Sequence, residues 1–158
     1  MAATFGWREY NTAGETESTP TNLNFGSTDA TDLNAVNFPI TAGTNSFEKW
    51  VKADFSGSFS RIENIKFWKS AGAYVTGESI VFKTTPTYAT PSQSAMSGSS
   101  AVPASEPGSA NVGIGGSTGG ELTAAGKSDF IVLQQQITLA AGPGATNTKT
   151  FTISYDEV

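Results

Sequence analysis

The feature that most constrains this chain is the two-residue alternation in "FEKWVKADFSGSF", residues 47–59. Phe47, Val51, Ala53 and Phe55 fall on one face and Glu48, Trp50, Lys52 and Asp54 on the other. A period of two belongs to a β-strand, whose successive side chains point to opposite sides. The same alternation returns in "RIENIKFWKS", with Ile65 and Phe67 against Lys66 and Trp68, and in "ESIVFKTT" through Ile80 and Phe82. "TFGWREYN" and "TNLNFGS" read as shorter strands. "DFIVLQQQITLAA" and "TKTFTISYDEV", joined by "GPGATN", read as a final antiparallel hairpin.

Thr, Ser, Gly, Ala and Asn are abundant, and runs of Leu, Glu and Lys that would nucleate helices are missing. Short strands punctuated by turn signals predict an all-β chain, an antiparallel β-sandwich of Ig-like or jelly-roll topology. The 158 residues suit one domain over 1–158 with a real core. Residues 84–128 differ: "TTPTYATPSQSAMSGSSAVPASEPGSANVGIGGSTGG" and its flanks form a long Pro/Ser/Gly-rich excursion. Its composition is that of a linker. Sparse anchors at Tyr88, Met96, Val102, Val112, Ile114 and Leu122 can nonetheless pin it as an ordered loop against a neighbour.

The chemistry available is narrow. Cysteine and histidine are both absent, which removes thiolate chemistry, disulfides, the commonest general base and the commonest transition-metal ligand. The formal net charge is -5 and the nine basic residues are scattered, so no nucleic-acid partner is expected. No window approaches the roughly 20 apolar residues of a membrane helix, so no membrane partner is expected either. "MAATFGWREYN" lacks the basic and apolar regions of a signal peptide.

Four motifs invite a sharper reading. "GGELTAAGKSDF", residues 119–130, looks like a phosphate loop, but five residues separate Gly120 from Gly126-Lys127 where four are needed, and a strand follows. A tight turn with Gly126 at positive φ is the expectation. "VGIGGSTGG" has Thr118 in place of the third glycine of a dinucleotide loop. Asp29, Asp32 and Asn34 in "STDATDLN" lack the ligand repeat of a calcium loop and fit Asx-turns and caps. Glu48, Asp54, Glu63 and Glu78 supply carboxylates for a hydrolase in principle. They read instead as a solvated sheet face. No catalytic residue, metal or cofactor is expected.

The aromatic side chains Trp7, Tyr10, Trp50, Trp68, Tyr74 and Tyr88 are the candidate interface set. Trp50 and Trp68 alternate away from the apolar faces of their strands, toward a partner or a covering loop. Exposed Trp and Tyr anchor protein interfaces or stack on sugar rings.

The runs "NLNFGSTDATDLN", "PITAGTNSFEKWVKADFSGSFSRIENIKFWKSAG" and "TNTKTFTISYDEV" together resemble small virion structural proteins of tailed bacteriophages. The resemblance covers about the first half and the last strand. It implies a non-enzymatic β-sandwich that coats a capsid as a decoration or cement subunit, or forms part of a tail. The implied partners are the major capsid protein, other virion subunits and sister copies in a homo-oligomer. Binding only the assembled shell would stabilise it by mass action, with avidity from repeated contacts. The implied location is the virion, after synthesis in the host cytoplasm and release at lysis. The alternative is a tail-fibre module that binds host glycan through Trp50, Trp68 or Tyr74.

Overall fold

The computed structural model describes residues 2–158, and within them every regular element is a strand. The strands are β1 (Ala3–Asn11), β2 (Thr16–Ser18), β3 (Lys49–Gly57), β4 (Ile62–Ala71), β5 (Glu78–Thr85), β6 (Ser100–Ala101), β7 (Gly126–Lys127), β8 (Phe130–Ile137) and β9 (Thr150–Glu157). Seven of them form one antiparallel sheet in the order β2-β1-β3-β8-β5-β6, with β7 pairing β3; β4 and β9 form a second, two-stranded sheet. The two sheets pack face to face as a β-sandwich.

The large sheet is apolar on both faces. Its inner face carries Val51, Ala53, Phe55, Ile80, Phe82, Ile131 and Leu133, and Ile62, Ile65 and Phe67 of β4 pack onto it. Phe151, Ile153 and Tyr155 of β9 complete this layer, with Tyr155 edge-on to Phe55 at 4.8 Å. The opposite face carries Tyr10, Trp50, Phe130 and Val132. It is covered by a strap of chain from the excursion, through Tyr88 and Met96. A sheet buried on both sides reads as continuous apolar sequence, as "FIVL" in β8 does.

Ile62 and Ile65 are both buried although an odd spacing would place them on opposite faces. A β-bulge between Glu63 and Lys66 resolves this, with Asn64 at φ 54° supplying the left-handed residue. Asparagine tolerates that conformation better than most side chains.

Three expectations are corrected. Residues 21–27 form no strand; Leu23 and Phe25 instead pack irregularly on the core. β8 and β9 do not pair as a hairpin. β8 lies inside the large sheet between β3 and β5, and β9 crosses to the other layer to pair β4. Gly126 is not at positive φ but extended within β7, opposite Phe55. A Cβ there would come within 2.9 Å of the Leu122 Cδ2 methyl, a side-chain end that can move aside.

The excursion is ordered by its few large residues. Met96, Val102 and Val112 are buried, and Tyr88, Ile114 and Leu122 pack at the edges of the two clusters. Its 103–122 part runs along β4: Lys69 N–H donates to Pro103 O, and the Asn111 side chain pairs with both backbone groups of Phe67.

Candidate interaction surface

The structure divides the six candidate aromatics. Tyr10, Trp50 and Tyr88 meet around Phe130, with Trp50 to Tyr88 at 5.1 Å, Trp50 to Phe130 at 5.4 Å and Tyr10 to Phe130 at 5.0 Å. Trp50 is 2% exposed and donates its indole N–H to Glu48 at 2.9 Å. Tyr10 is also buried. Neither can reach an external partner, which corrects their placement in an interface set: the strap is the covering loop, and it belongs to this chain. Burial pushes the Tyr88 phenol up to about 12, and the nearby carboxylates Asp29, Glu15 and Glu48 add to the effect. Tyr10 is raised as well, by burial first and then by its hydrogen bond to Glu17.

Trp7 points into the other cluster, edge-on to Phe5 at 5.2 Å and to Phe67 at 6.4 Å. Trp68 is half-buried on β4. Only Tyr74 is exposed, at 36%, and Lys69 and Lys149 lie over its ring at 5.0 and 5.5 Å.

The four carboxylates each have partners within the fold. Glu48 is buried and accepts from Trp50 and from Ser92 N–H, tying the strap to β3. Glu78 is buried with Lys149 and Gln135 around it and accepts Val75 N–H at 3.0 Å. The solvated-face reading therefore fails for Glu48 and Glu78. It is closer for Asp54 and Glu63, which are half-buried and pair with Arg8 at 2.7 Å and Arg61 at 3.0 Å. Asn34 makes the expected Asx-turn by accepting Val36 N–H, whereas Asp29 accepts from Thr12 N–H and Asp32 from Thr21 and Asn22 N–H, so these two pin distant loop segments together instead of capping their own turns. Among the described residues no cluster of three or more acidic side chains could hold a metal. In the glycine-rich stretches, Lys127 pairs with Glu17 at 2.8 Å and Gly116 N–H donates to Asp129. These groups are already committed within the fold.

What remains open is a groove of about 1180 Å³ at one end of the sandwich, between the 22–42 segment and the 141–149 loop. Leu23, Phe25, Ile80, Ile137 and Phe151 line it, and Val36 stands on its rim at 87% exposure. Phe38 and Leu139 are exposed in the adjoining loops, next in sequence or nearly so to the groove residues Pro39 and Ala141. A smaller pocket of about 190 Å³ shares Asn22, Leu23 and Phe151 with the groove and reaches between the layers to Trp7, Val51 and Leu133.

The edge of β9 beside these cavities is unpaired. Phe67 and Lys69 turn their backbone groups toward the 103–111 segment. Their register partners Ile153 and Phe151 must therefore turn theirs away from β4. No described residue hydrogen-bonds to the backbone of Phe151, Ile153 or Tyr155 beyond the β4 ladder. An open strand edge next to an apolar groove is a template for another chain. Sequence reasoning missed it because Val36, Phe38 and Leu139 lie in loops, where isolated apolar residues carry no periodic signal.

Comparison with family models, characterised proteins and solved structures found no match for this chain.

Proposed function

We propose that this chain works by binding rather than catalysis, as a structural subunit of a larger assembly. The observation that carries this reading is the apolar groove lined by Leu23, Phe25, Val36 and Ile137 beside the unpaired edge of β9, with Phe38 and Leu139 exposed in the adjoining loops. Burying an exposed aliphatic side chain in an interface contributes about 1.5–3 kcal/mol, so a few such residues dominate a modest contact. The carboxylates that a hydrolase would need are each engaged by neighbours within the fold.

The specific assembly follows from the sequence resemblance: a bacteriophage virion, with this chain as a decoration or cement subunit on the assembled shell. The glycan-binding alternative loses support, since Trp50 is buried and Tyr74 is flanked by lysines. The test is addition of the purified protein to phage shells that lack it, followed by electron microscopy and calorimetry. Lattice decoration and a raised shell melting temperature are expected, and both disappear with a Val36→Ser, Leu139→Ser double variant. Shells left bare by the wild-type protein would overturn the virion reading.

A further inference from the structure

On the inner face of the large sheet, beyond the reach of β4 and β9, three polar side chains are buried together. Glu9 is 0%, Lys49 1% and Asn11 4% exposed. Tyr10 pairs with Trp50 in the antiparallel register, so one step further Asn11 stands opposite Lys49, on the same face as Glu9. Lys49 Nζ donates to Glu9 Oε1 at 2.7 Å and to Ala30 O at 2.6 Å. Asn11 Nδ2 donates to the same Glu9 oxygen at 3.4 Å and to Asp29 Oδ1 at 3.0 Å. Thr31 Oγ1 donates to Asn11 Oδ1. Glu9 Oε2 is buried with no hydrogen-bond partner.

As a structural ion pair this arrangement is poor. Two charges are taken out of water, and one carboxylate oxygen is left buried and unsatisfied. As a reaction centre it is complete. An amine, a carboxamide and a carboxylate that touches both are held together away from water, and a hydroxyl donates to the carboxamide oxygen.

We propose that Lys49 and Asn11 join spontaneously in an intramolecular isopeptide bond, with Glu9 as the catalytic acid and base. A proton passes from Lys49 Nζ to Glu9, which removes both buried charges and frees the nitrogen lone pair. Nζ attacks Asn11 Cγ; the N–C bond forms while the carbonyl π electrons move onto Oδ1, which accepts from Thr31. Glu9 gives its proton to Nδ2 and takes one from Nζ. The Cγ–Nδ2 bond then breaks with its electron pair leaving on nitrogen, and the carbonyl re-forms. Ammonia departs with the proton left on Glu9, as ammonium. The reaction needs no oxidant or other reagent. Its product is an amide N–H in place of the ammonium, beside a carboxylate that can accept from it.

Intact-mass spectrometry of the purified full chain, followed by tryptic mapping, tests this directly. The expected mass is lower than that of the sequence by one ammonia, about 17 Da. No Lys or Arg lies between Glu9 and Lys49, so an unmodified chain yields a Glu9–Lys49 peptide. An acylated Lys49 resists trypsin, and the peptide instead runs from Glu9 to Lys52, lighter by the same amount. Glu9→Gln and Lys49→Arg, checked for folding by circular dichroism, should keep their full mass. Full mass in the wild-type protein overturns the proposal. So does an ammonia loss with normal cleavage after Lys49, which would mark a cyclic imide at Asn11. A Glu9→Gln protein that still cross-links would remove Glu9 from its role.

Discussion

Tyr88→Ala offers the sharpest test of how the strap holds the second face of the large sheet. The ring touches Trp50, Phe130 and Tyr10, with centroids 5.1, 5.5 and 6.5 Å away, and the hydroxyl donates to Thr12 O at 2.7 Å. Truncating a fully buried aromatic costs about 3–5 kcal/mol. Tyr88 is half-buried, so roughly half of that, about 2 kcal/mol, is expected. The lost hydrogen bond adds about 0.5–1 kcal/mol. Met96 stays docked, because its N–H is held by Gln134 and its side chain is buried on the same cluster. The strap therefore loosens without leaving. The assay is urea unfolding, read by fluorescence in a Trp7→Phe, Trp68→Phe background where Trp50 is the sole reporter. The expected result is a loss of about 2–3 kcal/mol with a red-shifted native emission. Tyr88→Phe should lose only the hydroxyl's share. A Tyr88→Ala change below about 0.5 kcal/mol with unshifted emission would refute the claim that the strap buries Trp50.

Alkaline titration should show the same contact. The Tyr88 phenol is raised in the folded chain, so its contribution is fully present below the unfolded value near 10 and is lost as pH rises toward about 12. Tyr88→Phe should flatten that part of a stability–pH curve measured by denaturant unfolding. Glu78→Gln strands the buried Lys149 and should cost about 3 kcal/mol by thermal melting, whereas Glu78→Gln with Lys149→Met should recover much of it. Gly72 sits at φ 90°, and a Cβ there would lie 2.2 Å from Thr148 O. Gly72→Ala should therefore destabilise by more than about 1 kcal/mol in the same melt, while Asn64→Gly, at φ 54°, should be near neutral.

Strand identity was legible where the side chains alternate, as in β3 and β9, because one buried face imposes the period. Pairing was not. β8 and β9 are neighbours in sequence and look like a hairpin, yet β9 finds its ladder on β4, about 80 to 95 residues away, where no local signal can point. The strap was unreadable for a different reason. Its composition is that of a disordered linker, and two side chains, Tyr88 and Met96, decide that it folds. The buried Glu9–Lys49 pair left a trace: Lys49 occupies an inward position in the Phe47–Phe55 alternation, where a charge needs a partner. Nothing in the sequence names Glu9 as that partner, since the pairing of β1 with β3 is itself non-local.

The crossing of β9 into the second layer also orders the events of synthesis. Seven strands of the large sheet and β4 leave the ribosome before β9 does. Until then, Ile65 and Phe67 lie on a single strand with one edge unpaired, and the inner face of the large sheet lacks part of its cover. A nascent chain stalled before residue 150 would thus present apolar surface and an open ladder together, the combination that recruits chaperones or seeds aggregation. Its solubility would rise abruptly once the last eight-residue strand emerged.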